Sequence, residues 1–275
     1  MSVGRVAAAW QPDPGLIVAL AVAAAAYGAG VRRVRRWPAR RTVAFGAGLV
    51  AVAVALMSGL DVYADRMLSV HMVEHMVLTL VAAPLLVAGA PLTLVLRASG
   101  VRARMRLAGL LRSRFVATLT HPASGFALPA ALLASHFTPF YDYTLRHDWA
   151  HALEHAVYLA AAVLFWTPVL GAEPLSHRLS GFMRTAYLIA SMPAMSAIGA
   201  VLVSAQHPLY PTYARSAGAL GISALSDQHL GAALMWIGSS LVLVGFTLAV
   251  AWVAWEREER RQTARDNAAM RTAAP

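Results

Sequence analysis

Two short segments hold the residues best suited to chemistry: His71-Met72-Val73-Glu74-His75 and His151-Ala152-Leu153-Glu154-His155. On a helix, residues i and i+4 lie one turn apart on one face. Each segment can therefore present two imidazoles to one point, with a carboxylate on nearly the same face. Composition alone gives about 0.4 His-x-x-x-His pairs in such a chain, and about 0.01 with Glu in fourth place. Two copies are a signal. Neutral imidazoles bind copper, zinc, iron and nickel, while thioether sulfur favours copper(I). Met57, Met67, Met72 and Met76 lie near the first segment, Met192 and Met195 lie further along, and cysteine is absent. Methionines in apolar helices are ordinarily packing residues, but His with nearby Met and no Cys points to copper ahead of structural zinc. His71, His75, His151 and His155 are the candidate ligands. Glu74 and Glu154 would fix imidazole tautomers or carry protons. Met72, Met76, Asp227 and His229 are further candidates for the site.

Other chemistries fit the same strings less well. His-x-x-Glu-His is also the inverzincin peptidase motif, but a peptidase needs one such helix, a distal carboxylate and a water-filled cleft. A haem clamped between two histidine-bearing helices is the alternative, making the protein a membrane oxidoreductase. Neither a Ser/His/Asp set nor a glycine-rich phosphate loop is recognisable, so the sequence favours binding over catalysis.

The elements that must position these residues are membrane helices. Of 275 residues, 59% are hydrophobic and 13% charged, with a mean hydropathy of +0.58. Soluble domains are nearer 45–50% apolar and about 25% charged. The net charge of +10 comes from 23 arginines and 13 acids. Those arginines sit in clusters between long apolar runs, the pattern of a membrane protein and not of a nucleic-acid binder. Seven stretches approach the roughly 20 residues that cross a bilayer, at about 15–31, 42–60, 67–90, 115–136, 149–170, 184–205 and 230–254. The fold class expected is an all-α seven-transmembrane-helix bundle. It divides into an outer N-terminal segment (1–14), a membrane domain (15–255) and a basic cytoplasmic tail (256–275). The first stretch lacks a cleavage site after a basic leader and reads as a retained helix.

Counted by loop, 19 arginines fall on one side and four (Arg5, Arg66, Arg146, Arg215) on the other. The 19 include six in 32–41, six in 97–114, and Arg178 and Arg184. The arginine-rich side is cytoplasmic, which places the N-terminus outside and the C-terminus inside. The same count puts eight of ten histidines on the outer side, all but His121 and His177. Isolated histidines at helix ends ordinarily face interfacial water, and His136, His147 and His207 are read that way. Tyr141, Tyr143, Tyr210 and Tyr213 are expected at the same interface, as an aromatic belt or a contact rim.

The segments 71–97, 151–171, 207–214 and 225–236 together resemble the CtaG-type cytochrome c oxidase assembly factors, the multi-pass family associated with caa-type oxidases. The resemblance covers about 60–260. It implies a seven-helix plasma-membrane protein that helps to build a haem–copper oxidase by delivering copper. Its implied partners are oxidase subunits, the lipid bilayer and other copper chaperones, with no nucleic acid. His71, His75, His151 and His155 match the family's paired histidines. Tyr210, Tyr213, Asp227 and Gln228 match its polar marks before the last helix.

Overall fold

The computed structural model describes residues 9–175, 177 and 179–273. Arg5 and Arg178 from the arginine count lie outside the described residues, as do residues 1–8 of the N-terminal segment and the side chains of Met195 and 268–273. Helix is the regular secondary structure of the described residues, with no strand among them. Six helices are long and apolar enough to cross a membrane: α1 (Pro14–Arg33), α2 (Ala39–Ala64), α3 (Leu68–Ala98), α8 (Asp148–Leu170), α9 (Gly181–Ser204) and α11 (Ala224–Asn267). Shorter helices lie between them: α4 (Val101–Leu111), α5 (Arg114–Leu119), α6 (Ala127–His136), α7 (Phe140–Thr144) and α10 (Pro211–Leu220).

The stretch expected as a continuous span at 115–136 folds instead as α5, a 3₁₀ turn at Pro122–Phe126, and α6. Pro122 supplies no N–H, and His121 Nδ1 accepts the Ala123 N–H at 3.1 Å, a side-chain cap that restarts the chain. This segment nonetheless travels the length of the bundle. The His121 ring lies 4.9 Å from His177, beyond the C-terminal end of α8, whereas the His136 ring stacks on Tyr141 at 4.7 Å, near the start of α8. Gly125 allows the close passage. A Cβ there would lie 1.8 Å from the Tyr187 hydroxyl and 3.0 Å from Phe165 Cα.

Helix α3 holds the first histidine pair, and its irregularities follow from its prolines. After His75 it widens into a π-helical stretch at Val77–Ala82. The Ala83 N–H bonds Leu78 O, five residues back. Pro84 has no N–H to offer the Thr79 carbonyl. That orphaned carbonyl accepts Trp166 Nε1–H from α8 at 2.8 Å, which fastens α3 to α8 about one turn beyond the histidines. Further on, Ala90 takes a left-handed conformation (φ 52°) and Pro91 restarts the helix. Buried Glu173 caps this restart, accepting the N–H groups of Leu92 (3.0 Å) and Thr93 (2.9 Å).

The main core lies among α3, α6, α8, α9 and α11, where Leu68, Leu128, Phe165, Trp166, Leu188 and Ile198 are fully buried. Helix α1 is peripheral, with Tyr27 its one buried residue. At the far end, the last helical stretch runs from Ser239 to Ala273, so the charged tail continues the final span as helix.

Candidate metal centre

Helix α3 begins at Leu68 because a carboxylate from another segment caps it. Asp227 on α11 accepts the Leu68 N–H at 2.7 Å and the Ser69 hydroxyl. The two helices meet closely there, with Gly231 bringing its backbone to about the surface of Ser69, a distance of 3.1 Å from a Cβ position to Ser69 Cα. The first two turns of α3 then carry His71, Glu74 and His75, all buried. The first two turns of α8 carry His151, Glu154 and His155 against them. The two helices start at the same end, so the pairs meet at one depth.

All four imidazoles come together. Ring centroids are 4.1 Å apart for His71–His75, 4.2 Å for His151–His155, 5.1 Å for His71–His151 and 5.5 Å for His75–His155. Two overlapping groups have ligand atoms mutually within 4.8 Å: His71, Glu74, His151 and His155, and His71, His75 and Glu154. His71 belongs to both. Its Nε2 stands 2.8 Å from His75 Nε2, close to the roughly 3 Å between two nitrogens that share an ion at about 2.0–2.1 Å.

The hydrogen bonds around the cluster set its donors. Tyr213 on α10 donates its only proton to Ala64 O at 2.8 Å, and its oxygen lies 2.8 Å from His71 Nδ1. His71 therefore donates from Nδ1 and turns the Nε2 lone pair inward. Burial pushes the Tyr213 phenol well above its ordinary range, which keeps that proton in place. Glu154 is satisfied on both oxygens, by Tyr158 (2.9 Å) and Thr144 (3.0 Å). Glu74 differs: it is fully buried and neither oxygen has a hydrogen-bond partner. His155 Nε2 lies 3.6 Å away. His75 Nδ1, His151 Nε2 and His155 Nε2 are likewise buried and unpartnered. A buried carboxylate and several imidazole nitrogens without partners are costly as they stand. A cation among His71, Glu74, His151 and His155 would satisfy the carboxylate and the His151 and His155 nitrogens together. The donor set is nitrogen with oxygen, which suits a late first-row metal.

Other residues singled out in the sequence lie elsewhere. Met72 and Met76 pack in the apolar core. Asp227 serves as the cap of α3. His229 Nε2 is 2.9 Å from Ala205 O. Gln228 accepts the Leu209 N–H at 2.8 Å and donates to Leu202 O at 3.2 Å, anchoring the 207–210 segment. The tyrosines expected as an interfacial belt are a correction: Tyr141, Tyr210 and Tyr213 are buried. Tyr141 packs against His71 (5.4 Å), His136 and Tyr210 (4.6 Å), forming the inner wall of the cluster. His136 was likewise expected at the water interface. It is buried, 6.2 Å from His75 ring to ring, with Nε2 unpartnered. The only hint in the sequence is the polar Ser135–His136 pair closing the apolar run 127–134.

A sequence model of the cytochrome c oxidase caa3 assembly factor family matches residues 25–257. The chain belongs to that family. The match spans all four clustered histidines, both glutamates and Tyr213, so the caa3 assembly-factor region and the candidate centre coincide in the chain. Uncharacterised proteins of Mycobacterium tuberculosis and Mycobacterium bovis are each 33% identical over 279 residues. One of Mycobacterium leprae is 31% identical over 271. These alignments cover 94–97% of the chain but only 41–42% of each relative. The chain thus spans about two-fifths of the length of these curated relatives. No solved structure matches.

Proposed function

We propose that this caa3 assembly-factor family member binds copper in the buried His–Glu cluster and hands it to a haem–copper oxidase during assembly. Copper here is cargo, and the role is binding and transfer, not catalysis. The observation that carries the reading is the convergence of His71, His151 and His155 on a Glu74 carboxylate with no hydrogen-bond partner, with His75 joined to the group through His71, in a chain of oxidase-assembly family. His71, His75, His151 and His155 would hold the ion with Glu74, and Tyr213 would orient His71. The haem alternative is less well supported. The rings already stand 4.1–5.5 Å apart, and Tyr158 and Tyr141 pack against them at 4.7 and 5.4 Å, which leaves little width for a macrocycle. Deleting the protein should lower haem–copper oxidase activity without changing transcripts of the oxidase subunits, and added copper should restore part of it. Wild-type activity in a deletion strain lacking any paralogue would overturn the assembly role.

The reading includes a topology. Residues 114–136 complete a seventh crossing in two helical pieces, a reading supported by His121 packing on His177, past the end of α8, and His136 on Tyr141, ahead of its start. On this reading the cluster lies near the outer face of the plasma membrane, as the arginine distribution supports, where oxidase subunits and extracytoplasmic copper chaperones would meet it. Reporter fusions after Arg66 and Arg146 should both report an outside location, and fusions after Arg41 and near the C-terminus an inside one. A cytoplasmic signal at Arg146 alone would remove the seventh crossing; one at Arg66 would invert the site.

A further inference from the structure

The geometry points to an ion-uptake route that begins at Asp65 and passes through His151 into the cluster. This deepens, and rests on, the copper-binding reading above. Exposure falls in steps along it: the Asp65 side chain is 63% exposed, His151 13%, His155 7% and Glu74 0%. His151 faces both ways. Its Nδ1 lies 3.8 Å from Asp65 Oδ1, too far for a hydrogen bond but close for charge. Its Nε2 is buried without a partner, and the ring stands 4.2 Å from His155 and 5.1 Å from His71. An ion held at Asp65 and His151 can thus exchange its outer ligands for His155, Glu74 and His71 one at a time.

The surrounding charge favours a cation. Of the acids before residue 256, Glu173 alone belongs to the arginine-rich end; the rest gather toward the cluster. Several are engaged structurally: Asp13 and Asp227 cap helices, and Asp142 pairs with Arg146 at 3.2 Å and accepts the Thr212 N–H. Asp65 and Asp148 are both exposed at the mouth, and the Asp148 and Arg66 charges act on Asp65 through space. Asp61 and Asp65 also act electrostatically on buried Glu74, whose unpartnered oxygens form the end of the route. An acidic mouth above a low-dielectric site concentrates cations and speeds their capture.

Uptake kinetics test this on purified full-length protein, with copper(I) presented from bicinchoninate and the probe's absorbance followed in stopped flow. Asp65→Asn with Asp148→Asn keeps an accepting oxygen opposite His151 and removes only charge. At low ionic strength the variant should load about fivefold or more slowly while reaching the wild-type copper content. The difference should shrink in high salt, where screening reaches only a few ångström. Asp142→Asn, already engaged by Arg146, should load at the wild-type rate. An unchanged rate in the double variant would overturn the route, as would a lowered final copper content, which would make Asp65 a positioning residue for His151. Wild-type protein that takes up no copper would instead overturn the binding reading itself.

Discussion

His71→Ala combined with His155→Ala is expected to strip most of the copper from the purified protein. These two residues come from different helices, and both belong to the group whose ligand atoms lie within 4.8 Å. Their loss leaves His75 beside Glu154, and His151 beside the Asp65 charge, with no point where three donors converge. In a buried setting two donors cannot replace an ion's hydration shell, so affinity collapses instead of weakening slightly. The substitutions also remove His71 as the donor to Tyr213. An unchanged helical signal in circular dichroism would separate loss of metal from loss of fold. Copper content equal to wild type would remove the paired histidines from the site.

Glu74 should show opposite effects on stability and binding. Its carboxyl is fully buried with both oxygens unpartnered. Replacing buried ionic groups with well-packed apolar ones is often neutral or stabilising by about 1–4 kcal/mol. Glu74→Leu should therefore melt at or above the wild-type temperature without metal. Glu74→Gln, which keeps the shape and loses the charge, should weaken copper binding at least about 10-fold, since losing even a residue that only supports a ligand costs about 10- to 100-fold. A residue that stabilises the empty protein when removed, yet weakens the loaded one, is held for its ligand. Wild-type affinity in Glu74→Gln would remove the carboxylate from the account.

The histidine pairs were legible because i, i+4 spacing is local and survives whatever the rest of the chain does. Their convergence needs α3 and α8 to start at the same end, which is the order expected of a seven-span chain with a crossing between them. What the sequence did not disclose came from contacts distant in the chain. Tyr213 orients His71 across 142 residues, and Asp227 caps α3 across 159; no spacing rule connects them. His136 and Tyr141 resemble ordinary interfacial residues, but they are buried against each other and the histidine cluster, with Tyr210 of the 207–214 segment packing on Tyr141 and donating to His136 O at 3.2 Å. The break in the fourth stretch has a visible cause in Pro122, which the apolar content of 115–136 masks. The π-helical stretch in α3 is similar: Pro84 announces an irregularity, while the partner that resolves it, Trp166, lies on another helix.

Copper K-edge absorption, combined with metal analysis of the wild-type protein after loading and removal of loose metal, tests the central claim most directly. The account predicts about one tightly held copper per chain, with a nitrogen and oxygen shell showing the multiple-scattering pattern of imidazole, and no sulfur, since Met72 and Met76 pack in the core. Protein that retains no copper, or copper bound chiefly by sulfur, would contradict it.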